Sequence, residues 1–207
     1  MKKTYLFLVS LLVSTLSFGQ EITENFDYGA TPEDLINVGF NWLNITGGDA
    51  LPFIGYLGTS LTMPDYEPLA IGGSAKLNIS SQPGQFGQDL HLEVLLPGLT
   101  NYFSALVNVT FARTGGSDYF MHFNSGEFLG LDENNEPIYN NENDRARVFV
   151  RDDGNGGINF GILSKGESTN VSWDTNSYAK ATTYLIVAAY QIESGISNLY
   201  VLTAPVA

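Results

Sequence analysis

Cysteine is missing from all 207 residues, which rules out a disulfide framework and any thiolate chemistry. Basic residues are scarce as well: 9 Lys and Arg stand against 22 Asp and Glu, for a net charge of −13. A nucleic-acid-binding role is therefore disfavoured, because phosphate affinity comes from clustered Lys and Arg. Histidine occurs only at His91 and His122, both in strand-like runs, and no G-x-S-x-G sequence is present, so a Ser-His-Asp nucleophile has no support. Past the N-terminal segment, no apolar run approaches the roughly 20 residues needed to cross a bilayer as a helix.

What is present begins with an export signature. Lys2 and Lys3 precede an apolar run from Tyr5 to Val13, followed by the small residues Ser17 and Gly19. This pattern predicts a signal peptide over residues 1–19, cut after Gly19. A retained anchor is the competing reading, but the apolar core is short for a span. The remainder, residues 20–207, is long enough for one domain with its own core, and losing Lys2 and Lys3 leaves it more acidic still. The expected location is secreted or cell-envelope, extracellular or periplasmic, with no membrane span after cleavage.

The stretch with the clearest structure is RARVFVRDDGNGGINFGILSKG, Arg145 to Gly166. Ala146, Val148 and Val150 alternate with Arg145, Arg147, Phe149 and Arg151; beyond an Asp, Asn and Gly turn, Ile158, Phe160 and Ile162 alternate with Asn159, Gly161 and Leu163. That spacing predicts a β-hairpin closed by an Asp-Gly, Gly-Gly type connection. Other strands are expected at 21–28, 76–80, 90–95, 102–113, 118–124, 184–192 and 198–203. Phe103, Ala105, Val107, Val109 and Phe111 should share a core face opposite Ser104, Asn108 and Thr110. The run from Tyr184 to Ile192 is apolar on both faces, as for a strand covered on each side. A short helical turn is expected over 31–37 and surface loops over 62–73 and 126–144. About ten short strands with little helical periodicity predict an all-β, antiparallel two-sheet β-sandwich of jelly-roll type.

Taken in linear order, ENFDYGATPEDLINVGFNW, FSALVNVTFARTGGSDYFMHF, RARVFVRDDGNGGINFGILSKG and YAKATTYLIVAAYQIE resemble the N-terminal concanavalin/laminin-G-like domain of secreted proteins from Bacteroidetes. The resemblance spans most of the sequence after the signal and implies a concanavalin-like jelly roll. Relatives of that kind continue into further modules and a C-terminal type IX sorting domain, which this sequence, ending at Ala207, is read as lacking.

Candidate chemistry is sparse. Glycoside hydrolases on similar sandwiches hold two carboxylates about 5–9.5 Å apart from alternate strand positions. No E-x-D-x-(x)-E run occurs here, and Glu127, Asp132, Glu133 and Glu136 sit in a polar loop. Calcium is the cofactor these loops would suit, since a hard cation takes oxygen ligands. The preferred place is the loop carrying Asp132, Glu133, Asn143 and Asp144, with the turn Asp152, Asp153 and Asn155 as a second oxygen-rich segment. Turn chemistry alone also selects Asp, Asn and Gly.

The arginines are the sharper anomaly. Arg145, Arg147 and Arg151 are three of only four in an acidic chain, and with Phe149 they form a candidate ligand-binding face suited to acidic sugars or other carboxylate-bearing partners. The plainer reading, preferred on sequence, is that they neutralise acidic side chains on adjacent strands. Trp42, Trp173, Tyr56 and Tyr66 are candidate sugar-stacking rings or ordinary packing. The overall expectation is an exported, non-catalytic module that recognises glycans or another cell-envelope component, with a structural spacer as the alternative and a glycoside hydrolase as the outsider.

Overall fold

The computed structural model describes residues 23–46, 54–65, 72–78, 89–92, 99–114, 118–124, 128–131, 137–139, 144–165 and 168–203. The expected signal peptide lies outside them. In chain order the elements are β1 (Glu33–Asp34), helix α1 (Leu35–Val38), β2 (Leu43–Thr46), β3 (Gly55–Leu57), β4 (Ser74–Lys76), β5 (Asp89–His91), β6 (Thr100–Asn108), β7 (Asp118–Phe123), β8 (Phe128–Leu131) and β9 (Pro137–Tyr139). They continue with β10 (Arg145–Asp152), β11 (Ile158–Leu163), a 3₁₀ turn (Ser168–Asn170), β12 (Ser172–Trp173), β13 (Thr183–Gln191) and β14 (Ile196–Leu202).

The chain is an all-β antiparallel sandwich. Its two main sheets have the strand orders β12-β11-β10-β7 and β14-β13-β6, accompanied by the small pairings β1-β3-β4, β2-β5 and β8-β9. The hairpin pairs Arg147 with Leu163 and closes at Asp152 opposite Ile158. Ala146, Val148, Val150, Ile158, Phe160 and Ile162 all point into the core, as their alternation requires. From the second sheet, Tyr184, Ile186 and Ala188 meet them, flanked by Phe103, Val107, Leu199 and Val201. Phe160 is the centre of an aromatic knot, with ring centroids 5.4 Å from Tyr178, 6.1 Å from Tyr184 and 6.4 Å from Phe120. Edge-on contacts of this kind add to area burial because the positive ring edge meets a negative face.

Several expectations are corrected. The Asp, Asn and Gly connection of the hairpin is a five-residue loop, 153–157, as the first strand runs one residue further, to Asp152, and in it Gly154 and Gly156 hold positive φ of 78° and 98°. The aspartates set its length: Asp153 Oδ1 accepts the N–H groups of Asn155 (2.7 Å) and Gly157 (2.9 Å), and Asp152 Oδ1 accepts that of Gly154 (2.8 Å). No strand forms over 23–30, where backbone is irregular. The expected helical turn begins at Leu35, after Asp34, rather than near Thr31. β6 ends at Asn108, so Phe111 falls beyond the strand and is 63% exposed while Ala112 takes the buried place. Within the expected loop 126–144, the chain pairs β8 with β9.

Among the described residues, the both-faces-apolar strand β13 has no second layer on its outer side. Its outer residues Leu185 and Val187 are half-buried by cross-strand neighbours Leu106, Leu202 and Tyr200. Two rings on this outer face stay largely open, with Tyr102 at 64% and Tyr200 at 54% exposure. Within the sheet, a side chain is shielded by its neighbours on the same face, so hydrophobicity at these positions does not require a third layer.

Candidate functional site

Among the described residues, the outer face of the hairpin sheet is where rings and guanidinium groups lie together. Phe149 lies opposite Tyr119 on β7 and Gly161 on β11, and Gly161 in turn lies opposite Trp173 on β12. The register therefore lines up Tyr119, Phe149 and Trp173 across four strands. Ring centroids are 5.8 Å apart for Tyr119 and Phe149 and 6.4 Å for Phe149 and Trp173, both edge-to-face. Gly161 makes this row possible, because it alone adds no side chain between Phe149 and the indole.

Two arginines cover the row. The Arg147 guanidinium carbon sits 5.7 Å from the Tyr119 ring centre and 5.8 Å from that of Phe149. The Arg151 guanidinium lies closer, 4.1 Å from the Trp173 ring centre, within the range where the ring quadrupole attracts a cation. Its Nε also donates to Asn159 Oδ1 at 3.3 Å. The third arginine does not join them. The register is irregular between Arg145 and Val148, Ala146 there has φ 49°, and Arg145 faces Phe123, whose ring packs edge-on against Phe103. Arg145 instead turns its Nη1 to the carbonyl of Asp144 at 2.9 Å. A bulge flips the alternation that simple period-2 counting assumes.

Phe149 also departs from expectation, since it is only 1% exposed. It is a floor beneath the arginines rather than a contact surface. The exposed aromatic parts of the face are those of Tyr119 and Trp173. The expected neutralisation of arginines by acids on neighbouring strands does not describe Arg151: its strand neighbour is Asn159, and its aromatic partner is Trp173.

At the β7 end of the row, His122 stacks edge-on against Tyr119 at 5.4 Å, and its Nδ1 is 3.4 Å from Asp144 Oδ1. The same Asp144 oxygen accepts a 2.7 Å hydrogen bond from Asn124 Nδ2. Burial first, then the nearby charges of Asp89 and Asp144, push the Tyr119 phenol up to about 12, with Arg147 opposing them. Tyr119 is therefore a neutral donor across the physiological range.

Of the four candidate calcium ligands, Asp144 alone is described, and it is a buried residue engaged by Asn124 and His122; Asp132, Glu133 and Asn143 lie outside the described residues. The second oxygen-rich segment is occupied by the protein's own donors. The Asp152 carboxylate meets Lys180 Nζ at 2.5 Å, and Asp153 accepts the Ser177 hydroxyl as well as two backbone N–H groups. Among the described residues, no group of three or more His, Asp or Glu side chains is disposed to hold a metal.

Other candidates distribute elsewhere. Tyr56 is buried with its hydroxyl on the carbonyl of Gly29, and Trp42 stacks on Phe26 at 5.7 Å, so both serve packing. Tyr66 lies outside the described residues, as do Glu127 and Glu136. The register neighbours of Arg147, Phe149 and Arg151 are Leu163, Gly161, Tyr119 and Asn159, none of them a carboxylate. In sequence, Tyr119 and Asn159 carry no signal beyond strand alternation, and His122 stands out only as one of two histidines. Trp173 is a lone ring in sequence, since nothing in a two-residue edge strand announces its neighbour across β11.

No family model matches the chain, and no curated protein or solved structure is similar to it. Its class is accordingly defined by its own geometry, an antiparallel β-sandwich with an aromatic and arginine-bearing sheet face.

Proposed function

We propose that the protein is an exported, non-catalytic recognition module that binds glycans of the cell envelope or its surroundings through the outer face of the hairpin sheet. The observation that carries this reading is the row Tyr119, Phe149 and Trp173 with Arg147 and Arg151 laid over it. Sugar rings present apolar C–H faces ringed by hydroxyls, and a flat aromatic edge beside planar donors complements both. The N-terminal apolar run supports export. The resemblance to concanavalin/laminin-G-like domains of Bacteroidetes supports a jelly-roll connection of the strands.

A glycan array followed by calorimetric titration of the wild-type protein and an Arg147→Ala variant, each with and without calcium, tests the proposal. Saturable binding that weakens in the variant is the expected result. Calcium dependence would bring the loop around Asp132 and Asp144 into the site. Silence on neutral and acidic glycans in both conditions would refute recognition by this face.

A second reading, a structural module that packs against a neighbouring domain, draws on the opposite side of the molecule. The outer face of the β14-β13-β6 sheet, including Tyr102, Leu185, Val187, Tyr200 and Leu202, bears no charged residue at its described positions, in a chain of net charge −13. A neutral apolar face on an acidic domain is the surface best suited to contact with another protein layer.

A further inference from the structure

We propose that Arg151 is a carboxylate-binding fork and that the glycans taken by this face carry uronic acid groups, an inference that rests on the glycan-recognition reading above. The guanidinium is restrained twice, by the Trp173 ring at 4.1 Å and by the bond from its Nε to Asn159 Oδ1. Asn159 is itself fixed, since its Nδ2 donates to the carbonyl of Asn176 at 2.8 Å. These contacts use one of the five guanidinium donors. The four N–H bonds on Nη1 and Nη2 have no acceptor among the described residues, although the side chain is half-buried.

That vacancy is unexpected in so acidic a chain, and the surrounding carboxylates explain it. Asp152 is taken by Lys180 at 2.5 Å, Asp174 by the Tyr178 hydroxyl at 2.5 Å and by Asn176 at 3.0 Å, and Asp153 by Ser177 and the loop amides. Each nearby acid is satisfied by a partner other than Arg151. What remains is a pre-ordered planar fork whose terminal amino groups match the two oxygens of a carboxylate in parallel bonds. Because the side-chain entropy is already spent on the ring and the amide, binding loses less of it than a free arginine would. Trp173, covered by the guanidinium on one face and by Gly161 on the other, holds the fork in place, and the part-exposed Tyr119 along the row supplies apolar surface for the pyranose ring bearing that carboxylate.

The test is calorimetric titration of the full protein with three trisaccharides of one skeleton: a galacturonic acid trimer, its methyl ester and the neutral galactose trimer. Native protein should bind the acid trimer about ten- to a hundredfold more tightly than the ester, the range expected of charge-assisted bonds. Arg151→Lys, which keeps the charge without the fork, and Arg151→Met, which keeps the contact with the indole without donors, should both abolish that preference, bringing acid-trimer affinity down to that of the ester in the same variant. Thermal midpoints and tryptophan emission establish that the variants are folded. Equal affinity for acid and ester in the native protein, or a preference that survives in both variants, overturns the fork and leaves glycan recognition standing. Absence of binding to all three trimers, together with a blank glycan array, overturns both.

Discussion

A Cβ built on Gly161 would lie 2.7 Å from Cε3 of Trp173, so this glycine is the seat on which the indole rests. Its role is steric and not conformational. Gly161→Ala should push the ring off the β11 backbone and with it the guanidinium of Arg151. The expected cost is about 1–3 kcal/mol from overpacking, read by urea denaturation, with a red shift of Trp173 emission in a Trp42→Phe background. An unchanged midpoint and spectrum would show that the ring has another place to sit.

The aromatic knot around Phe160 should dominate the stability of the sandwich. Phe160 is fully buried, whereas Phe111 is mostly exposed. Phe160→Ala is expected to cost about 3–5 kcal/mol and Phe111→Ala close to nothing. Paired denaturation curves check the contrast directly.

Ala181 holds φ 54°, a left-handed conformation that costs an alanine roughly 1–2 kcal/mol, and its side chain is exposed. Its N–H donates to the carbonyl of Val109 at 2.8 Å, which keeps the turn in place. Ala181→Gly should stabilise the protein by about 0.5–1 kcal/mol after glycine's own entropic cost is subtracted. Ala146, with φ 49°, is fully buried, so Ala146→Gly sets the same relief against a lost core methyl and should be close to neutral. Differential scanning calorimetry of the two variants separates these cases.

Acid and alkali should act on different parts of the structure. Asp152 is held below the ordinary carboxylate range chiefly by Lys180, Asp153 by Ser177 and Asp174 by Tyr178. A carboxylate with a depressed folded-state pKa stabilises the fold above its unfolded value near 4 and loses that contribution as pH falls through the folded one. Protection factors for the 153–157 amides, taken against the intrinsic exchange rate at each pH, should accordingly fall below about pH 4, before those of the core. Tyr28, Tyr119 and Tyr178 are pushed up from 10.0 to about 12, mainly by burial. Their contribution is complete below pH 10 and disappears as pH rises towards 12, so phenolate absorbance should show late-titrating tyrosines together with alkaline loosening. A single phenolate transition at the ordinary value would contradict this.

The parts of the molecule visible in sequence are those where neighbours along the chain are also neighbours in space. Val148 to Val150 and Ile158 to Ile162 alternate because a strand exposes its sides by turns, and the hairpin brings the two together at once. The site depends on longer reach. Trp173 arrives beneath Arg151 only because β12 pairs with β11, and no local pattern encodes that pairing. Arg145 left its expected companions through a bulge at Ala146, a residue with nothing in its chemistry to announce a positive φ. Alternation puts Phe149 on the side of Arg147 and Arg151, but its burial arises from Tyr119, Trp173 and Arg147 together, which no local pattern shows.

Among the described strands β14 is the border of its sheet, and Ile196, Tyr200 and Leu202 stand exposed along it with no charge, proline or glycine in the run. The Ser197 N–H is taken by Ser164 Oγ at 2.9 Å, and the rest of such a border is a place where the backbone of an identical molecule could pair. What holds copies apart is their shared acidity, a repulsion that reaches only about 8 Å at physiological ionic strength. The scarcity of lysine and arginine thus acts as a colloidal safeguard, and concentrated salt or acid, by erasing it, should turn a dispersed protein into one that assembles strand upon strand into fibrils.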